Sequence, residues 1–132
     1  MPERKTVLVT GGSGFIGANL VRLLIHREAY RVVNLDALTY AANQLSLADL
    51  DSHPNYDIVH ASITDRERVR SLLTRIQPSG IFHLAAESHV DRSIEDAEDF
   101  IQTNVIGTYV MLEAARDYSK NLPEDRKANF RF

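Results

Sequence analysis

The sequence predicts an α/β fold in which a doubly wound parallel sheet is covered by helices on both faces. Apolar, β-branched segments alternate with amphipathic helical segments, and a glycine cluster lies between the first strand and the first helix. The 132 residues, 44% hydrophobic and 25% charged, suffice for one globular domain. A net charge of −3 gives no general attraction for nucleic acid or an anionic membrane, and the lack of cysteine excludes disulfides and thiolate metal sites.

Four segments have the composition of parallel strands. The first, Thr6–Thr10, is apolar and β-branched on both faces, as expected for a central strand. The predicted order of the strands across the sheet is 3-2-1-4. A fifth strand is expected to begin at the end of the sequence, so the sheet is expected to be truncated there. The open edge of strand 4 predicts association or poor solubility. The other segments are Arg31–Asp36, Tyr56–His60 and Gly80–Ala86, and Phe130–Phe132 begins the fifth.

Three helices are predicted from apolar residues that recur at helical spacing. A capping box at Thr64–Glu67 precedes the second helix, and Pro78 stops it. A short helix is expected near Leu45–Leu50, and Asp117–Lys127 is expected to be a polar surface connection. The predicted apolar faces are Ile16, Leu20, Leu23 and Leu24, then Val69, Leu72, Leu73 and Ile76, then Ile101, Val105, Thr108, Leu112 and Ala115.

A glycine-rich turn, Gly11-Gly12-Ser13-Gly14-Phe15-Ile16-Gly17, joins the first strand to the first helix. A diphosphate needs close approach of the backbone, which glycine allows, and free N–H donors, which the start of a helix supplies. The turn therefore predicts a dinucleotide site of the Rossmann type, where the strand order reverses. The alternative is a flexible turn that is incidentally rich in glycine.

Asp36 ends the second strand, near the position expected for an acid that binds the adenosine ribose. A carboxylate accepts hydrogen bonds from ribose hydroxyls and repels a 2′-phosphate, so the predicted cofactor is NAD and not NADP. Neither Arg31 nor Arg66 directly follows Asp36, where an arginine that selects NADP is expected. The alternative is a solvated charge at the end of a strand.

Further segments make a family resemblance specific. Together with the glycine turn, they resemble the dTDP-glucose 4,6-dehydratases of the extended short-chain dehydrogenase/reductase family. The resemblance covers essentially the whole chain, and the His83–Ile94 segment separates dehydratases from most epimerases. It implies the NAD-binding part of a lyase that oxidises C4 of a nucleotide sugar, removes water across C5 and C6, and returns hydride to C6. The segments are Asp36–Asn43 (DALTYAAN), His83–Ile94 (HLAAESHVDRSI) and Thr103–Tyr109 (TNVIGTY).

The resemblance also implies individual roles around the cofactor. Phe15 and Ile16 approach the diphosphate through their backbone, beside Gly11, Gly14 and Gly17. Ser62 stands where the family generally has aspartate, and Ala42 stands where glycine is common. The contacts implied at the adenosine half are Asp36, Ala37, Leu38 and Thr39 at the ribose, and Ser62 and Ile63 at the adenine. Those implied at the nicotinamide ribose are Leu84, Ala85, Ala86, Glu87 and Ser88, and Ser88 also faces the sugar substrate. Thr103 completes the wall of the cofactor site.

Other polar residues carry simpler interpretations. His83 and His89 lack supporting ligands for a metal, so a hydrogen-bonded core histidine is favoured for His83 and no metal site is predicted. Asp91 and Arg92 are assigned a loop ion pair or a contact with a partner subunit. Acidic residues near the start of a helix stabilise its dipole, which accounts for Glu95, Asp96, Glu98 and Asp99.

The catalytic pair of short-chain dehydrogenases, Tyr-x-x-x-Lys, does not occur: none of the five tyrosines has lysine four residues on. No catalytic residue is therefore assigned. Residues 1–132 are expected to be the N-terminal portion of an NAD-binding domain, without the Thr-Asp-Glu segment or the substrate domain, and inactive alone. A non-catalytic NAD-binding or dimerisation module, or a fragment of an epimerase or decarboxylase, remains an alternative. A cytoplasmic location and self-association, most simply as a homodimer, are expected.

Overall fold

The computed structural model describes residues 3–27, 29–38, 47–88 and 94–132. Four parallel strands lie in the order β3-β2-β1-β4, which confirms the predicted topology. The strands are β1 Lys5–Thr10, β2 Tyr30–Asp36, β3 Tyr56–His60 and β4 Gly80–His83. Arg131 forms a parallel bridge with Gly80, and its carbonyl accepts the N–H of Ile81 at 2.9 Å. The last residues therefore begin a fifth strand along the edge of β4.

Helices cover both faces of this sheet. Successive side chains of β1 point to opposite faces, so Val7 and Val9 pack with α1 while Leu8 packs with α2 and α4. The carboxyl ends of β1, β2 and β4 are left uncovered at one edge. The helical segments are α1 Phe15–His26, a 3-10 turn Ala48–Leu50, α2 Arg66–Ile76, α3 Ala97–Phe100, a π-helix Ile101–Gly107, α4 Thr108–Lys120 and α5 Glu124–Asn129.

The predicted face of the first helix is correct at Leu24, which is buried, and at Leu20, which packs against the core, but it is wrong at Ile16 and Leu23. Ile16 and Leu23 are 70% and 49% exposed, whereas the buried residues are Gly17, Ala18, Val21, Leu24 and Ile25. Gly17 packs against the glycine turn, where a Cβ would lie 2.1 Å from the Gly11 carbonyl oxygen, so no larger side chain fits on this face.

The predicted face of the third helix is correct at Ala115, which is buried, but it is wrong at Ile101, Val105 and Leu112. Ile101, Val105 and Leu112 are each about half exposed, and the buried residues of α4 are Val110, Met111, Ala114 and Ala115. A π-helix advances by i→i+5 bonds, so a pattern spaced at 3.6 residues does not stay on one face across it. The helix buries its alanines against the sheet and leaves an apolar face outward.

Smaller corrections concern element ends. Asp65, and not Thr64, caps α2: its Oδ1 accepts the N–H of Arg68 at 3.2 Å. The fourth strand ends at His83 and not at Ala86. The expected polar connection after Asp117 is wrong, since α4 continues to Lys120 and α5 follows Pro123. The helix expected at Leu45–Leu50 is a 3-10 turn at Ala48–Leu50 in its described part.

Candidate functional site

A pocket of about 440 Å³ opens at the carboxyl edge of the sheet, where the strand order reverses between β1 and β4. This is the position at which open α/β sheets bind ligands. Its lining comes from the glycine turn, the ends of β2 and β3, the segment after β4, and the π-helix. The lining residues are Gly11, Gly14, Phe15, Ile16, Gly17, Leu35, Asp36, Ala37, Ser62, Ile63, Leu84, Ala85, Ala86, Glu87, Ser88 and Thr103.

Gly11 fixes the glycine turn against the segment that follows β4. Its φ of +68° lies in the left-handed region, which favours glycine. A Cβ at this position would lie 2.8 Å from the Cα and N atoms of Ala85. The Gly11 N–H donates to the Leu35 carbonyl at 2.9 Å. The turn is therefore tied both to β2 and to the strand end that lines the opposite wall of the pocket.

The start of α1 presents backbone donors to this pocket. Gly14 is the N-cap, no side chain caps the helix, and its first turn carries no acidic residue. Within the described part of the chain, the N–H groups of Phe15, Ile16 and Gly17 have no hydrogen-bond acceptor. Unpaired amides and the positive end of a helix dipole together favour an anion.

Asp36 lies at the end of β2 beside the turn and is 8% exposed. Its Oδ2 accepts the N–H of Ser13 at 2.9 Å, and its Oδ1 accepts the N–H of Leu38 at 2.8 Å. Leu38 has a φ of 55°, which turns its amide back toward the carboxylate. Each carboxylate oxygen keeps a further lone pair. The carboxylate is thus fixed in direction and retains acceptors for a ligand's hydroxyl groups.

A threonine holds the backbone on the β4 side of the pocket. Thr10 is fully buried, and its Oγ1 accepts the N–H groups of Leu84 and Ala85 at 3.0 and 3.1 Å. Its own proton is then directed to Nδ1 of His83, 2.8 Å away. His83 therefore carries its proton on Nε2 and donates to Thr108 Oγ1 at 3.1 Å. Burial lowers the pKa of His83, which favours the neutral form, and both ring nitrogens of this partly buried histidine are hydrogen-bonded, as predicted.

Asn104 of the π-helix holds the next part of the same wall. Its Oδ1 accepts the Glu87 N–H at 2.8 Å, and its Nδ2 donates to the Glu87 carbonyl at 2.9 Å. Thr103, one residue earlier, lines the pocket. Gly107 ends the π-helix, where a Cβ would lie 2.3 Å from Cδ1 of Ile63. The π-helix therefore brings Thr103 and Asn104 over the strand ends.

The remaining predicted site residues are distributed as follows. Ser62 lines the pocket, and its hydroxyl hydrogen bonds with that of Thr64 at 2.7 Å. Leu38 touches Asp36 through its amide but does not line the pocket. Thr39, Ala42, His89, Asp91 and Arg92 lie outside the described residues. The ligand contacts themselves stay predictions.

Sequence reasoning assigned no role to Thr10 and Asn104, which hold the pocket wall, or to the fully buried Asn34. Thr10 and Asn34 are polar residues inside otherwise apolar strands, a signal that the sequence does contain. Among the acids after Ser93, Glu98 and Asp99 lie in the first turn of α3, as the helix-dipole interpretation predicts, and Asp96 is its N-cap. A side-chain hydrogen bond with Asp96 raises the pKa of Asp99. No group of three potential metal ligands occurs among the described residues.

Comparison with known proteins identifies the family. A family model described as GDP-mannose 4,6 dehydratase matches residues 8–132. The chain belongs to this family. Two curated members are dTDP-glucose 4,6-dehydratases: that of Haemophilus influenzae is 48% identical over 126 residues, 96% of this chain and 37% of the relative. That of Xanthomonas campestris pv. campestris is 54% identical over 127 residues, 96% of this chain and 36% of the relative.

Solved structures share the fold of this dehydratase-family chain. DesIV, a dTDP-glucose 4,6-dehydratase from Streptomyces venezuelae with NAD and TYD bound, has a TM-score of 0.80 and 44% identity over 86% of this chain and 36% of that chain. The UDP-glucose 4-epimerase of Thermotoga maritima with UDP-glucose has a TM-score of 0.76 and 34% identity. The match covers 86% of this chain and 34% of that chain. The fold is thus that of the extended short-chain dehydrogenases. The chain spans about a third of the length of these relatives, and none of its described helices is long and apolar enough to cross a membrane.

Proposed function

We propose that this chain supplies the NAD-binding part of a dTDP-glucose 4,6-dehydratase, a lyase that acts on a nucleotide sugar. The observation that carries the proposal is the juxtaposition, around one pocket, of unpaired amides at the start of α1 and the fixed carboxylate of Asp36. Those two groups match the diphosphate and the adenosine ribose of a dinucleotide. The curated dTDP-glucose 4,6-dehydratases and the DesIV structure with NAD support the same conclusion.

In this proposal the cofactor extends along the carboxyl edge of the sheet. The amides of Phe15, Ile16 and Gly17 bind the diphosphate, and Asp36 accepts from the adenosine ribose hydroxyls. A 2′-phosphate would meet the nearly buried Asp36 carboxylate without a neighbouring cation in the pocket lining, so NADP is disfavoured. The remaining predicted contacts are Ser62 and Ile63 at the adenine, and Leu84, Ala85, Ala86, Glu87 and Thr103 at the nicotinamide half.

The chemistry divides between the cofactor and the protein. NAD, when bound, supplies an acceptor and donor of hydride. The chain's own part is to bind and orient it, through the turn and the wall held by Thr10 and Asn104. Ser88 is exposed at the rim of the pocket, where we assign it to the sugar. Since Tyr-x-x-x-Lys is not present in the 132 residues, no acid or base is assigned, and the chain by itself does not turn over substrate.

An NMR titration of the 132-residue chain with NAD tests the cofactor site. Amide shift changes are expected to concentrate at Phe15–Gly17, at Asp36 and at Leu84–Ser88. Changes confined to other surfaces, or no changes at millimolar NAD, would rule the pocket out.

A location in the cytoplasm belongs to the same proposal, because NAD and nucleotide sugars are cytoplasmic metabolites.

The dehydratase assignment is tested on a protein that continues past Phe132. Its downstream reading frame is expected to supply Thr-Asp-Glu and Tyr-x-x-x-Lys, and its product from dTDP-glucose, followed by NMR, is expected to be a 4-keto-6-deoxy sugar. A product that keeps its C6 hydroxyl with C4 inverted would instead identify an epimerase.

The partner that the described surface supports best is a second copy of this chain. An apolar face runs along the π-helix and α4, formed by Ile101, Val105, Tyr109 and Leu112, each between 48% and 59% exposed. Leu112→Lys is expected to shift the chain toward monomer in analytical ultracentrifugation. Leu23→Lys is the matched control, because Leu23 is 49% exposed on α1, which packs on the opposite side of the sheet. Equal effects of the two variants would refute an interface at this face.

A further inference from the structure

Asn34 is a fully buried polar residue in the middle of β2, between Val33 and Leu35. Its Oδ1 accepts the Gly12 N–H at 2.8 Å, and its Nδ2 donates to Ser13 Oγ at 3.0 Å and to the Tyr56 hydroxyl at 3.2 Å. Both N–H bonds of the side-chain amide are thus used. Because a buried amide is costly unless it is paired, these bonds fix its orientation.

Asn34 and Asp36 lie two residues apart on the same face of β2. They accept successive amides of the turn: Gly12 N–H bonds to Asn34, and Ser13 N–H bonds to Asp36. The turn's donors are therefore divided. Those of residues 12 and 13 are bound to β2, and those of residues 15 to 17 face the pocket.

The side chain of Asn34 also explains why residue 12 is glycine. A Cβ at Gly12 would lie 2.4 Å from Oδ1, 2.6 Å from Cγ and 3.0 Å from Nδ2 of Asn34. These three nearest atoms all belong to Asn34. The close approach at this glycine is therefore to the Asn34 side chain.

We propose that Asn34 is a positioning residue for the dinucleotide: it holds Gly12 against β2 and so aims the amides of Phe15–Gly17 at the diphosphate. This deepens the NAD-binding role proposed above and rests on it. Asn34 itself does not line the pocket, so its effect on a ligand passes through the turn.

The first test compares Asn34→Ala with Tyr56→Phe in the 132-residue chain. Tyr56→Phe removes one of the three hydrogen bonds of the Asn34 amide and keeps the bond to Gly12, whereas Asn34→Ala removes all three and releases Gly12. By calorimetry, Asn34→Ala is expected to raise the Kd for NAD at least about tenfold, whereas Tyr56→Phe changes it by less than about twofold. Equal losses in the two variants, or unchanged affinity in a folded Asn34→Ala chain, would overturn the proposal.

A double-mutant cycle tests the steric part. Gly12→Ala alone is expected to weaken NAD binding at least about tenfold, because its Cβ displaces Asn34. In an Asn34→Ala background the same change has no side chain to displace, so a further loss below about twofold is expected. A full second loss would show that position 12 requires glycine for another reason.

NMR of the wild-type chain separates this proposal from the proposed function. A scalar coupling across the hydrogen bond from the Gly12 nitrogen to Asn34 Cγ, with slow exchange of the Gly12 amide, is expected without any variant or ligand. If the wild-type chain binds no NAD, the proposed function fails while this observation still supports the fixed turn. A rapidly exchanging Gly12 amide in the wild-type chain contradicts the positioning role even where NAD binds.

Discussion

Replacing Gly11 by alanine tests whether the turn is fixed by the fold itself. The residue has a φ of +68°, and its Cβ would lie 2.8 Å from the backbone of Ala85. A left-handed backbone costs an L-residue about 1–2 kcal/mol, and overpacking against neighbours costs about 1–3 kcal/mol. Because the contact is with backbone, the neighbour has no alternative rotamer. Gly11→Ala is therefore expected to lower the free energy of unfolding by about 3 kcal/mol.

Urea denaturation followed by circular dichroism measures this loss, and the thermal midpoint is expected to fall by roughly 10 °C. Gly14→Ala is the matched control in the same turn. Its φ is −77°, and its Cβ would meet one atom, the Gly11 carbonyl oxygen, at 3.3 Å. Its expected loss is below about 1 kcal/mol. Equal losses in the two variants would refute the steric reasoning.

Two further variants probe the pocket walls. Asp36→Asn places a donor where two N–H groups converge, so NAD affinity is expected to fall at least about tenfold while NADP affinity does not, as measured by calorimetry. For His83, burial lowers the pKa in the folded state below the ordinary value of a histidine. The unfolded chain then takes up the proton first, so the free energy of unfolding is expected to decrease as the pH falls below about 6.5 and to decrease less in His83→Gln. A steeper decline in the variant would contradict a neutral His83.

Local patterns explain what the sequence predicts well. The third strand has the predicted bounds, Tyr56–His60, because a short apolar segment that follows turn residues is defined by its own neighbours. The glycine turn and Asp36 meet at one pocket for a related reason, since adjacent parallel strands bring their carboxyl ends to one edge. Strand bounds and the position of the pocket are therefore predictable from residues that are close in sequence or that recur along one element.

Long-range contacts explain what the sequence does not predict. Thr10 holds Ala85 from 75 residues away, and Asn104 holds Glu87 across 17 residues. Such pairs follow from packing and leave no local pattern. The predicted helix faces left out Gly17 and Ala114 because these residues carry little hydrophobicity, yet both are buried. Ile101 and Leu112 carry more and remain outward.

The preference for NAD that we propose for the pocket rests on the fixed carboxylate of Asp36 and the unpaired amides at the start of α1. Calorimetric titration of the 132-residue chain with NAD and, separately, with NADP measures that preference directly. We predict saturable, one-site binding of NAD and binding of NADP at least about tenfold weaker. Binding of neither dinucleotide, or binding of NADP as tight as that of NAD, would contradict the account.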